Sequence, residues 1–126
     1  MGSKTIYIEV MGKPRMSRKD KWLNPPRDCV GRYWKYKDKL KEEMEGIDLS
    51  DCFCISWTAY FPIPKSWSKN KKEHMRGKWH QQKPDRDNID KGILDALLPE
   101  DCMIASGSLQ KHWDDGGGPR LILRWI

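Results

Sequence analysis

The run Lys83-Pro-Asp-Arg-Asp-Asn-Ile-Asp-Lys-Gly-Ile-Leu-Asp-Ala-Leu97 decides how this chain is read. Pro84 keeps the residue before it extended, so Asp85 and Asp87 lie on the approach to a helix that Asp87 or Asn88 can cap. At about 100° per residue, Ile89, Ile93, Ala96 and Leu97 share one face, while Asp87, Lys91 and Asp95 line the opposite one. Two carboxylates this close repel one another unless a cation lies between them, and hard oxygen donors suit Mg²⁺. The same spacing also fits an N-cap Asp followed by ordinary i,i+4 pairs, Asp87–Lys91–Asp95, on a solvated face. The spacing alone leaves both readings open.

Charge on either side adds context. Residues Gly12–Lys41 carry eleven Lys or Arg against three Asp, and Pro64–Lys83 carry seven against one Glu. Between Asp85 and Asp101 the sign reverses, with six acids against Arg86 and Lys91. The whole chain has a net charge of +6, which favours polyanionic partners. Basic flanks around an acidic centre suit an enzyme that grips a phosphodiester backbone and gathers divalent metal at one phosphate. Lys13, Arg15, Arg18 and Lys19 in the first stretch, with Lys65, Lys69, Lys71, Lys72 and Arg76 in the second, are the expected phosphate contacts. Unpaired bases could stack on some of the seven Trp, most of which a small core would claim.

The rest of the pattern gives the fold class. Ile6, Ile8 and Val10 alternate with polar neighbours, predicting a strand over Thr5–Val10 that Gly12 and Pro14 end. A basic loop then leads into a helix over Tyr33–Glu45, with Tyr33, Tyr36, Leu40 and Met44 as its apolar stripe and Gly46 as its stop. Cys52–Phe61 reads as a central strand closed by Pro62 and Pro64. Ser66 or Ser68 can cap a short helix that Gly77 ends. Strands over Met103–Trp113 and Arg120–Ile126 flank a turn at Asp114–Pro119. The expectation is one α/β domain over residues 1–126, a small mixed sheet flanked by helices.

With 126 residues, 37% of them hydrophobic, the chain can build one modest core and has no room for two ordinary domains. The longest uncharged stretch, Cys52–Pro64, falls short of a membrane span, which needs roughly 20 apolar residues. The opening residues lack the apolar core of a secretory signal, so the expected setting is cytoplasmic, without a membrane partner. Cys29, Cys52, Cys54 and Cys102 form no CxxC pair, and His74, His80 and His112 lack zinc-ligand spacing. A zinc-binding structural protein is therefore disfavoured. A non-cleaving nucleic-acid-binding module, whose acids merely cap a helix, stays open as the alternative.

Pro84-Asp85-Arg86-Asp87-Asn88, with Lys91 and then Asp95-Ala96-Leu97, resembles the central motif of the RusA family of Holliday junction resolvases. Gly12-Lys13-Pro14-Arg15, Phe61-Pro-Ile-Pro-Lys-Ser-Trp67 and Asp101 extend the resemblance over most of the chain. It implies a homodimeric endodeoxyribonuclease acting on four-way DNA junctions, with Mg²⁺ as its cofactor and no small-molecule cofactor, leaving a 5′ phosphate and a 3′ hydroxyl. It further implies Asp85, Asp87 and Asp101 as metal ligands, all catalytic, and Lys91 as an assisting cation. The family often has a longer, glycine-containing connection ending in two adjacent Asp residues. This chain has Leu98-Pro99-Glu100-Asp101, so Glu100 competes with Asp101 for the third position, and Asp95 is either a partner of Lys91 or a surface charge.

Overall fold

A computed structural model describes all of residues 1–126. Its elements run β1 (Gly2–Ile6), α1 (Asp28–Glu43), β2 (Ile55–Phe61), α2 (Lys69–Met75), α3 (Arg86–Leu97), β3 (Leu109–Trp113) and β4 (Arg120–Trp125). Short 3-10 turns at Arg18–Lys21 and Asp101–Met103 interrupt the connections. The four strands form one sheet in the order β1-β4-β2-β3, with β2 parallel to β3 and antiparallel to β4. The expected mixed α/β sheet is therefore present. No helix is long and apolar enough to cross a membrane.

Strand alternation selects the buried face. Trp57, Ala59 and Phe61 of β2, Leu121 and Leu123 of β4 and Ile6 of β1 are buried together against Tyr33, Tyr36 and Leu40 of α1 and Ile89 and Ile93 of α3. Met44 completes the α1 stripe just past the helix end, and Ala96 is buried while Leu97 is half-buried. The two helices approach closely. The Tyr33 hydroxyl donates to the Gly92 carbonyl at 3.0 Å, and a Cβ on Gly92 would lie 3.3 Å from the Tyr33 ring. The opposite sheet face presents half-buried Tyr60, His112, Arg120, Ile122 and Arg124.

Several expected boundaries move. The first strand is Gly2–Ile6, not Thr5–Val10, because Ile6 already pairs with Leu121, one residue from the start of β4, and nothing beyond can continue the ladder. The first helix begins at Asp28 rather than Tyr33: Gly31 sits inside it, and an Asp28–Arg32 ion pair of 3.3 Å spans that turn. Ser68, not Ser66, caps α2 by accepting the Lys71 N–H at 3.2 Å. The third strand starts at Leu109, not Met103, because a 3-10 turn occupies Asp101–Met103 and the Ala105 N–H is drawn to the Phe53 carbonyl at 2.8 Å.

Candidate active site

The motif sits at the start of α3, and its approach is fastened from two sides. On one side the Lys111 ammonium, half-buried on β3, donates to the carbonyls of Gln82 at 2.6 Å and Pro84 at 2.7 Å. Burial pushes the Lys111 amine down from its ordinary value, while the Asp85 carboxylate opposes that shift and Arg86 adds to it. On the other side the chain leaving β1 presses directly on the motif. The Lys13 N–H donates to the Asn88 carbonyl at 3.3 Å, and a Cβ on Gly12 would stand 2.6 Å from the Asn88 amide and 3.0 Å from the Pro84 ring. Only a residue without a side chain passes there unhindered.

Asp85, not Asp87 or Asn88, is the N-cap of α3, with extended backbone and no capping bond from its own carboxylate. Asp87 follows in the first turn, and Lys91 stands one turn further on. Asp85, Asp87, Lys91 and Arg86 are all exposed and enter no ion pair. The chain of i,i+4 pairs Asp87–Lys91–Asp95 is therefore not formed. Asp95 instead pairs with Lys13 across to the β1 exit, where its charge adds to the burial that pushes the Tyr33 phenol up to about 12. Lys13, expected at a phosphate, thus ties the first basic stretch to α3.

Asp101 opens the 3-10 turn beyond α3 and is exposed. Its neighbour in the charge field is Asp90, which is not among the ligands expected from the sequence. Asp90 is half-buried and accepts the Trp57 indole N–H at 3.0 Å. Burial raises its carboxyl above the ordinary value, the Trp57 bond lowers it, and the Asp101 charge raises it again. Its signal in the sequence was its place three residues after Asp87, between the apolar and polar faces. Lys111 left none, since it is one lysine on a strand whose role depends on two distant carbonyls.

Asp85, Asp87 and Asp101 are not gathered into a closed cage: no three His, Cys, Asp or Glu side chains stand together so as to hold a metal ion. The donor chemistry nevertheless fits Mg²⁺, which keeps several waters and is commonly held by one or two carboxylates together with substrate phosphates.

The basic residues divide into two groups. Arg15, Arg18 and Lys19 are exposed on a loop held by Asp20, which accepts Arg27 at 2.7 and 2.8 Å and the Ser17 N–H at 2.6 Å. The Arg27 guanidinium, foremost, holds the Asp20 carboxyl at about 2. Arg27 also donates to the Arg15 carbonyl at 2.8 Å, so this loop has a fixed path back to the motif. Lys65, Lys69, Lys71 and Arg76 are exposed and Lys72 half-buried on or around α2. The Lys71 ammonium lies 4.2 Å over the Trp67 ring, and Gly77 bonds the Asp114 carbonyl at 3.2 Å. The second group is thereby anchored on the turn after β3, with no hydrogen bond or ion pair to α3.

A family model described as Endodeoxyribonuclease RusA matches residues 8–124. Comparisons with curated proteins and with solved structures find no match. The family match runs from just past β1 into β4 and takes in both fastenings of the motif, the start of α3 and the basic loop, and on that extent the chain belongs to the RusA family of endodeoxyribonucleases.

Proposed function

We propose that this chain, as a single domain over residues 1–126, is a Mg²⁺-dependent endodeoxyribonuclease that resolves four-way DNA junctions by paired symmetrical cuts in recombination and repair in the cytoplasm. The observation that carries the reading is the unpaired Asp85, Arg86, Asp87 and Lys91 at the fastened start of α3, in a chain of this family. Asp85 and Asp87 would hold the metal, with Asp101 completing the set and Glu100 its competitor. When bound, Mg²⁺ supplies a water of lowered pKa and polarises the phosphate. Lys91, free of ion pairs, offsets the charge that grows on the phosphate during attack. Arg15, Arg18 and Lys19 grip the backbone on the motif side, while Lys65, Lys69, Lys71, Lys72 and Arg76 reach it from α2. Two symmetrical cuts require two such sites, and each chain offers one, so a twofold homodimer supplies the pair.

The open arrangement of the carboxylates favours one rival, a module that binds branched DNA without cutting it. Incubating the protein with a synthetic four-way junction, with and without Mg²⁺, separates the two. Paired cuts that appear only with metal are expected, and Asp87→Asn should bind the junction without cutting it, because the amide keeps the shape and loses the charge. Binding that is indifferent to metal and never yields a cut would establish the rival. Cutting at the wild-type rate by Asp87→Asn would remove Asp87 from the ligand set.

A further inference from the structure

Beside the motif lies a cleft with one aromatic wall. Residues 78–80 run along the end of β3, with the His80 N–H on the Lys111 carbonyl at 3.0 Å and the Trp113 N–H on the Lys78 carbonyl at 2.8 Å. This places Trp79 opposite His112. The indole stacks on the His112 ring at 4.5 Å, with 26° between planes, and His112 stacks in turn on Tyr60 at 5.5 Å. The Arg120 guanidinium lies 3.9 Å over the Tyr60 ring and is itself held by Asp115 at 3.1 Å. His112 is fixed further by the Gly77 carbonyl at 3.2 Å and the Gln110 side chain at 3.4 Å. A ladder of four planar groups thus crosses the sheet, and it holds rigid an indole that is nevertheless 58% exposed.

Trp79 forms one wall of a cleft of about 520 Å³ whose other lining residues are Arg86, Gly107, Ser108, Leu109 and Gln110. Residues 78–80 cover β3 only beyond its start, so the outward backbone groups of Leu109, which by strand alternation point the same way as those of Lys111, face the cleft. Arg86 lines the same cleft. It lies between Asp85 and Asp87 in sequence and is itself unpaired. The cleft therefore combines a preset aromatic face, open backbone donor and acceptor groups, and a free guanidinium next to the carboxylates proposed to act on a phosphate.

We propose that this cleft is a subsite for one unstacked nucleobase of the DNA strand, stacked on Trp79 with its flanking phosphate or base edge against Arg86. The proposal deepens the nuclease reading and rests on it for the identity of the strand. A planar heterocycle with a hydrogen-bonding rim and an attached anion matches all three features of the cleft, and stacking on an aromatic side chain accepts any base. Bases at a branch point are the easiest to draw out, since they have lost part of their own stacking. Seating one base beside Asp85 and Asp87 would fix which phosphate faces them, and contacts from Arg86, Gln110 and the Leu109 backbone would set the preference for one base over another.

A short single-stranded oligonucleotide carrying one 2-aminopurine tests the subsite without a junction. The full chain should quench the probe on binding. Trp79→Ala, checked for fold by circular dichroism, should weaken binding about fivefold to a hundredfold. Trp79→Phe should retain most of the affinity, and Arg86→Ala should weaken it with a shallower salt dependence. An abasic strand of equal length should bind the wild type as weakly as the base-bearing strand binds Trp79→Ala. If Trp79→Ala binds the probe strand within twofold of wild type, or the abasic strand binds as well as the base-bearing one, there is no base subsite here. Failure of the wild type to cut a junction in a parallel reaction would instead overturn the nuclease reading, and Trp79-dependent binding of the base would stand.

Discussion

Replacing Lys111 with Met should loosen the motif without emptying the core. The stem length is kept while the ammonium is lost, and with it the bonds of 2.6 and 2.7 Å to the Gln82 and Pro84 carbonyls. A hydrogen bond to a charged group contributes about 1.5–3 kcal/mol, but Gln82 is exposed and its freed carbonyl can find water, so the net stability loss should be about 1–3 kcal/mol. The effect on cutting should exceed that. Pro84 precedes Asp85, and a displacement of about 1 Å at a reacting group can cost roughly a hundredfold in rate. Urea unfolding measures the first effect. Single-turnover cleavage of a four-way junction measures the second, and the Mg²⁺ concentration giving half the maximal rate should rise with it. Lys111→Arg, which keeps a donor in place, should recover part of both. If Lys111→Met loses stability yet cuts within threefold of wild type at unchanged Mg²⁺ demand, the clamp holds the fold and not the site.

Gly12→Val should lower stability by about 1–3 kcal/mol through overpacking against Pro84 and Asn88, read as a fall in melting temperature, and an unchanged midpoint would mean the β1 exit does not press on the motif. His80 is buried between Phe61 at 4.1 Å and Trp113 at 4.4 Å, and burial foremost, with Lys111 adding, pushes its pKa down to about 4. A base depressed from 6.5 binds more protons when unfolded, so its contribution is intact above pH 6.5 and is lost as pH falls toward 4, amounting to roughly 2 kcal/mol by pH 5. Urea midpoints at pH 7 and pH 5 should differ accordingly and converge in His80→Phe; equal midpoints in the wild type would show that His80 titrates normally.

What the sequence made legible was what depends on local period. The helical stripe of Tyr33, Tyr36, Leu40 and Met44 and the inward face of Ile89, Ile93 and Ala96 are buried as their spacing requires. Strand ends were not legible, because a strand extends only as far as its neighbour. Ile8 and Val10 continue the alternation of Ile6, but β4 begins at Arg120 and offers them no ladder. Gly31 carries a low helix propensity and yet sits inside α1, where packing of Val30 and Tyr33 into the core outweighs roughly 1 kcal/mol of backbone cost.

The site divides along the same line. Acids between two basic stretches could be counted, but which acid meets which cation could not, since the pairing joins segments far apart in sequence. Asp95 faces α3's own Lys91 one turn away in sequence and in the fold is taken by Lys13, 82 residues distant. Lys111 of β3 feels the Asp85 carboxylate but spends its hydrogen bonds on the Gln82 and Pro84 carbonyls. Lys13 and Lys111 come from other elements and are engaged there, which leaves Lys91 and Arg86 unpaired at the surface beside the equally unpaired Asp85 and Asp87. Asp90 and Asp101 are the contrary case: like charges that act on one another, with the Trp57 indole the only hydrogen-bond donor to Asp90. A cation or a proton relieves that repulsion at Asp90, whose carboxyl is raised by burial first and by the Asp101 charge in addition. Neither acid enters an ion pair, so no basic side chain of the protein offsets that repulsion directly.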